Sequence, residues 1–128
     1  MGFYADHPSR ELGYIHDALL RSGRLVTDTG LHSLRWSREK ATETLSSIDG
    51  DPTSLAPPEI ERYCVWPGQA CTYMVGKITF LRLRAKAKAA LGPRFDIRQF
   101  HDAVLLAGSM PLTVLERAVD NYIAAHKA

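Results

Sequence analysis

The apolar residues of the chain recur at intervals of three and four, and no convincing two-residue alternation is present. Residues at this spacing share one face of a helix. The pattern therefore predicts an all-α chain of about five or six helices with one long central helix. The predicted core-facing stripes are Leu12, Ile15, Leu19 and Val26; then Cys71, Met74, Val75, Ile78, Leu81, Ala85 and Ala89; then Phe100, Val104 and Leu105; and finally Leu112, Leu115, Val119 and Ile123.

Proline, glycine and short polar residues mark the predicted helix ends. The first helix starts at Asp6 or Ser9, with Pro8 in its first turn, and Gly30 is a candidate for its end. The second predicted helix is Arg38–Ser47, capped by Ser37, and a loop over Ile48–Pro58 follows it. The next helix starts at Pro58-Glu59, and a long helix runs from Gln69 to Leu91, where Gly92-Pro93 ends it. Two further helices are predicted: one that begins at a capping box of Asp96 and Gln99 and ends at Gly108, and a last one from Pro111.

The stretch Glu61–Lys77 is predicted to be a broken helix, because Pro67-Gly68 interrupts it. The helix that restarts after the break carries one mixed face, made of Gln69, Tyr73, Gly76 and Phe80. Glycine inside a helix costs about 1 kcal/mol relative to alanine, so Gly76 indicates that something approaches the helix closely. Close helix–helix packing and a functional contact both fit this feature.

The composition is that of an ordinary globular protein. A length of 128 residues, 45% of them hydrophobic and 23% charged, suits one helical domain over residues 1–128. The net charge of +2 is too small to indicate a nucleic-acid or membrane partner, and no apolar run approaches the roughly 20 residues that span a bilayer. The first residues lack the basic and apolar regions of a signal peptide, so we expect a cytoplasmic protein. Cys64 and Cys71 fit no zinc or redox motif and are predicted to be buried free thiols.

Few polar residues suggest chemistry. The basic residues of the long helix spread around it without an aromatic stacking platform, which favours a solvated face over a nucleic-acid interface. No histidine has metal-ligand spacing, and His16 is predicted to pack in the core. His32 follows Asp28 by four residues, so the carboxylate is placed to orient the imidazole, although a purely structural role fits equally well. No phosphate loop or nucleophile elbow is present, so the residues alone describe a helical domain without a complete catalytic apparatus.

Four segments match, in order and spacing, the C-terminal part of a bacterial family. They are RLVTDTGLHSLRWSREKA at Arg24–Ala41, ERYCVWPGQACTYMVGK at Glu61–Lys77, FDIRQFHDAVL at Phe95–Leu105 and PLTVLERAV at Pro111–Val119. The most specific residues are Arg24–Val26 with Asp28–His32, and Arg62-Tyr63 with Pro67–Ala70 and Tyr73. On these residues the chain resembles the family named domain of unknown function 885, which is regarded as zinc-metallopeptidase-like. The resemblance covers nearly the whole chain.

The resemblance implies that the chain forms one wall of a peptide-binding cleft on a helical zinc-metallopeptidase-like scaffold. The resemblance implies that the phenol of Tyr73 donates a hydrogen bond to the transition state, and Tyr63 is the second candidate for this role. It makes His32 a further donor, steadied by Asp28. Arg62 and Gln69 are implied as substrate-binding residues.

The zinc ligands of the family lie outside the matched part. Longer members carry an HExxH helix, followed by a glutamate, and both lie N-terminal to the matched part. This sequence contains none of these ligands. The resemblance therefore implies no cofactor for this chain alone, zinc only in full-length relatives, and a partner that supplies the missing N-terminal half or its equivalent. A peptide substrate is expected only when that half is present. The alternative hypothesis is a non-catalytic helical module that binds a partner or forms a homo-oligomer through the surface that the missing half would cover.

We expect the chain alone to bind no stoichiometric zinc and to hydrolyse no peptide, because a catalytic zinc site needs three protein ligands of the right kind. Metal analysis and a peptide-cleavage assay on untagged protein measure this. One equivalent of zinc held by native side chains would contradict the expectation.

Overall fold

The computed structural model describes residues 4–50 and 55–127. Its described part contains six α-helices, two 3₁₀ turns and no strand, which confirms the predicted all-α class. The elements are α1 (Pro8–His32), α2 (Arg38–Asp49), α3 (Ala56–Val65), a 3₁₀ turn (Gln69–Cys71), α4 (Thr72–Leu91), a second 3₁₀ turn (Gly92–Arg94), α5 (Ile97–Leu105) and α6 (Leu112–His126). The two turns extend α4 into one joined run of 26 helical residues, the predicted long central helix.

The described residues form two compact units, one up to Met74 and one from Val75 onward. The expectation of a single domain over residues 1–128 stays a prediction. The core of the first unit consists of Ala41, Leu45, Ala56, Ile60, Tyr63 and Ala70. The core of the second unit consists of Leu83, Ala87, Leu91, Phe100, Val104, Leu115, Val119, Tyr122 and Ile123.

Side-chain caps fix the starts of two helices, α2 and α5. The Ser37 hydroxyl accepts a hydrogen bond from the Lys40 amide at 3.2 Å, so α2 begins where predicted. The first helix begins at Pro8 after His7, not at Asp6 or Ser9. The third begins at Ala56 with Pro57 in its first turn, slightly before the predicted start. Residues 51–54 of the predicted loop lie outside the described part of the chain.

The predicted core stripe of α1 is wrong. Leu12, Ile15, Leu19 and Val26 are 68%, 54%, 44% and 46% exposed. The buried residues of α1 are instead Gly23, Arg24, Thr27, Asp28 and Gly30. The fully buried side of this helix therefore consists of small and polar residues, with Leu20 and Leu31 packing beside them, and most of its other apolar residues point outward.

Gly30 marks a close approach rather than the end of α1. The helix continues to His32, and a Cβ at Gly30 would lie 2.4 Å from Cε3 of Trp36. The Trp36 amide also donates to the Gly30 carbonyl at 3.0 Å. Only a residue without a side chain lets the indole rest on the helix backbone at this point.

The predicted core stripe of α4 is also wrong. The buried residues are Thr79, Leu83, Ala87 and Leu91, at four-residue steps. Val75, Ile78 and Leu81 are exposed. Gly76 does not mark a close approach, since nothing lies within 4 Å of a Cβ placed there among the described residues.

In the second unit, α5 and α6 follow the sequence closely. Asp96 caps α5 by accepting from the Arg98 and Gln99 amides at 2.7 and 3.2 Å. Phe100 and Val104 are buried as predicted, whereas Leu105 is exposed. In α6, Leu115, Val119 and Ile123 are buried, and Leu112 packs against the same core.

Several surface residues correct the sequence interpretation. His16 is not in the core; it is half exposed and its Nε2 lies 2.9 Å from Asp49 Oδ1. Both cysteines are free, but Cys64 is exposed and Cys71 only partly buried. On the basic face of α4, Arg82 pairs with Glu116 and Lys86 with Asp120. None of the described helices is long and apolar enough to cross a membrane.

Two glycine variants test this packing. Gly30→Ala is expected to lower the free energy of unfolding by about 1–3 kcal/mol, because the added methyl group overlaps the Trp36 ring. Gly76→Ala is the matched control and is expected to raise it by up to about 1 kcal/mol, because the site is open and alanine favours helix. Urea denaturation of both variants measures the difference. A neutral Gly30→Ala would contradict the observed contact.

Candidate functional site

A line of polar residues on α1 faces the joint between α3 and α4. Arg24, Asp28 and His32 stand at four-residue steps, so they lie along one side of the helix. Arg24 is 3% exposed and Asp28 2% exposed. Two charged groups at this depth require partners, because an unpaired buried charge is very costly.

Asp28 holds the joint itself. The Gly68 amide lies 3.2 and 3.0 Å from the two Asp28 carboxylate oxygens and donates to them. Gly68 has a φ of 81°, which glycine adopts without strain. The same carboxylate acts on Cys71: burial raises the pKa of the Cys71 thiol, and the negative charge of Asp28 raises it further. Asp28 therefore fixes the Pro67-Gly68 break to α1.

Arg24 joins α1 to both sides of the break. Its Nη2 donates to Oε1 of Gln69 at 3.2 Å, and its Nε lies 3.3 Å from Oε2 of Glu59. Glu59 also faces Arg62, whose Nη1 lies 3.4 Å from Oε1. The buried positive charge is thus balanced by Glu59. Because Oε1 of Gln69 accepts from Arg24, the amide nitrogen of Gln69 remains as a donor.

Tyr73 stands at the start of α4 against two arginines. The guanidinium carbons of Arg21 and Arg24 lie 4.4 and 5.0 Å from its ring centroid. These are cation–π distances, and two such contacts orient the ring. Tyr73 is nevertheless 44% exposed. Its phenol is therefore held at an accessible edge of the cluster.

Tyr63 differs from Tyr73 in its surroundings. It is 1% exposed, and its hydroxyl lies in the interior beside Glu59 and Arg24. Burial raises the pKa of Tyr63 far above its usual range, the Glu59 carboxylate adds to this, and Arg24 opposes it. The phenol is thus kept neutral inside the first unit, out of reach of an external ligand.

His32 contacts the backbone of α3. Its Nε2 lies 3.1 Å from the Tyr63 carbonyl oxygen, and since a carbonyl only accepts, Nε2 carries the hydrogen. Its Nδ1 lies 3.9 Å from Asp28 Oδ1, beyond hydrogen-bond distance. Asp28 therefore acts mainly on Gly68, and His32 mainly on α3.

The structure brings all six predicted site residues into one cluster of the first unit, which we call the joint cluster: Asp28, His32, Arg62, Tyr63, Gln69 and Tyr73. Sequence reasoning missed Arg21, Arg24 and Glu59 as members. The available signal was the flanking of Arg24, Thr27 and Asp28 by Gly23 and Gly30, since small residues mark a closely packed helix face.

Within the described residues, no group of three or more His, Cys, Asp or Glu side chains is arranged to hold a metal ion. The joint cluster therefore does not fit a zinc site.

The fold and this cluster define a helical domain that presents hydrogen-bond donors from the joint between two helices. Residues 1–119 match the family described as bacterial protein of unknown function (DUF885). The chain belongs to this family.

A solved structure supports the same relationship. The chain matches the putative lipoprotein from Colwellia psychrerythraea with a TM-score of 0.92 and 46% sequence identity. The match covers 97% of this chain and 21% of that one, so this chain spans about a fifth of the length of its solved relative. No curated protein matches the chain.

Removing the Asp28 carboxylate tests its hold on the joint. Asp28→Ala is expected to lower the free energy of unfolding by about 1–3 kcal/mol, because charge-assisted hydrogen bonds to the Gly68 amide are lost. Hydrogen exchange at that amide should accelerate. The control is Asp17→Ala, which removes an exposed pair with Arg21 and should change stability by less than about 0.5 kcal/mol. Equal effects of the two variants would contradict the assignment.

Proposed function

We propose that this chain forms one wall of a peptide-binding cleft in a zinc-metallopeptidase-like hydrolase and supplies hydrogen-bond donors rather than metal ligands. Its family membership supports a shared helical scaffold, and the metallopeptidase-like part of the proposal comes from the motif resemblance alone. The observation that carries the proposal is the placement of Tyr73, an accessible phenol held by Arg21 and Arg24. The HExxH segment of such an enzyme would be contributed by a part of the polypeptide outside these residues.

The chemistry asked of Tyr73 is simple. When a peptide bond is attacked, negative charge develops on the former carbonyl oxygen, and a positioned donor lowers that barrier. A phenol donates a hydrogen bond without having to ionise. The two guanidinium groups fix the ring that carries this hydroxyl.

The other candidate donors are less suited to contact substrate. Tyr63 is buried and its hydroxyl faces Glu59 and Arg24. His32 already donates to the Tyr63 carbonyl, so a contact with substrate would break that bond. Tyr63 and His32 therefore have a structural role in the wall of the cleft. After Tyr73, Gln69 is the second residue placed to donate a hydrogen bond to a peptide carbonyl, through its amide nitrogen.

Arg62 is proposed to bind the substrate from the outer side of the wall. It is partly exposed and paired with Glu59 on one side, and its guanidinium carbon lies 5.6 Å from the ring centroid of the exposed Trp66. A guanidinium held in this way can bind a carbonyl or carboxylate group of a peptide.

The test is Tyr73→Phe in the complex of this chain with the HExxH-bearing part of a family member. We expect kcat to fall about a hundred- to a thousandfold, the usual cost of one lost transition-state donor, with Tm unchanged. Tyr122→Phe, which removes a tyrosine hydroxyl in α6 of the second unit, outside the joint cluster, is the control and should retain full activity. Normal turnover by Tyr73→Phe would remove Tyr73 from the site. Parallel losses of activity and Tm would make its role structural.

A further inference from the structure

The outward side of α1 is an apolar surface, which we call the α1 outer face: Leu12, Tyr14, Ile15, Ala18, Leu19, Ser22, Leu25, Val26 and Thr29. All of these residues are exposed or only partly buried. None of them is charged, although Glu11 stands one turn before Ile15 at the N-terminal end of the same face; the other charged residues of the helix lie beside or behind the face. A surface designed only for water would carry charges at some of these nine positions.

Two of the three hydroxyl groups on this face, those of Ser22 and Thr29, already bond to carbonyls of their own helix. Ser22 Oγ donates to the Ala18 carbonyl at 2.9 Å. Thr29 Oγ1 lies 2.7 and 3.0 Å from the Leu25 and Val26 carbonyls. Polar side chains that bond back to their own helix need no water or polar partner, so they can be buried without cost to their hydrogen bonding.

The spacing of the large residues identifies the shape of what would cover them. Leu12, Leu19 and Val26 are seven residues apart, with Ile15 between the first two. This is the spacing of a helix–helix seam. At 1.5 Å per residue, the seam from Leu12 to Thr29 is about 26 Å long. An apolar helix of similar length fits it.

We infer that the α1 outer face is the docking surface for an apolar helical segment from the remainder of a family polypeptide, rather than for a second copy of this chain. The solved relative preserves this fold at a TM-score of 0.92, while only 21% of its length is matched. The other four-fifths is the available source of a covering segment. The remainder is favoured over a paired copy because, in the solved relative, it belongs to the same polypeptide as the matched fold.

Binding can be measured without any turnover, so this inference stands or falls independently of the peptidase proposal. This chain is co-expressed with the part of the Colwellia psychrerythraea protein that lies outside the match, and a 1:1 complex is expected. Leu19→Glu/Val26→Glu should weaken the complex at least tenfold, because two carboxylates would be buried in the seam. Leu106→Glu is the control, since Leu106 is 81% exposed and lies on another element.

Measurements on the chain alone complete the test. An apolar dye should bind the wild-type chain and the Leu106→Glu variant, and bind at most half as strongly to the double variant, with helix content unchanged in all three. Failure to co-purify with the complementary part would overturn the inference, as would a complex that tolerates both glutamates. A homodimer that the double variant dissociates would identify a second copy as the occupant and would also overturn it.

Discussion

The buried carboxylate of Asp28 is the contact on which the arrangement of the first unit depends. Both of its oxygens accept hydrogen bonds from the Gly68 amide, which fixes the Pro67-Gly68 break between α3 and α4 to α1. Arg24, one turn earlier, holds Gln69 and Glu59 on either side of that break. A carboxylate at 2% exposure is stable only because the backbone donor is fixed in front of it. The position of Tyr73, four residues beyond Gln69, follows from these two contacts.

The two opposite faces of α1 differ in composition. Toward its own unit, α1 presents glycines that admit Trp36, Leu45 and Ile48, together with charges that are neutralised by α3 and the joint. Away from it, α1 presents large apolar residues. A helix that is apolar on the side away from its own core offers a second surface for packing.

Local features of the sequence predicted local structure well. Ser37 and Asp96 cap the helices they were expected to cap, because a cap depends only on residues within one turn. The α6 stripe was also predicted, since its apolar residues are large and have a single face to cover. The stripes of α1 and α4 were mispredicted for a physical reason. Periodicity shows that a helix has an apolar face but not which face its own unit covers, and Thr79 and Ala87 are too weakly apolar to outweigh Val75, Ile78 and Leu81.

Six residues of the joint cluster were predicted as site residues, but Arg21, Arg24 and Glu59 and the contacts within the cluster were not. The family motifs select Asp28, Arg62, Gln69 and Tyr73, whereas the ion pair between Arg24 and Glu59 joins residues far apart in sequence, which no local pattern displays. The difference between Tyr63 and Tyr73 also depends on tertiary burial alone. Sequence therefore identifies which residues meet, and the structure distinguishes the accessible phenol from the buried one.

The separation of these partners along the chain has a consequence for biosynthesis. Asp28 and Gly68 are 40 residues apart, and Arg24 and Gln69 are 45 apart. At translation rates of about 5–20 residues per second, α1 is complete for on the order of seconds before its partners have been made. During that interval its two central charges remain in water and its outer face is uncovered. The nascent helix therefore depends on water to hydrate these two charges until the second half of the unit arrives, whereas its outer face stays exposed in the finished unit as well.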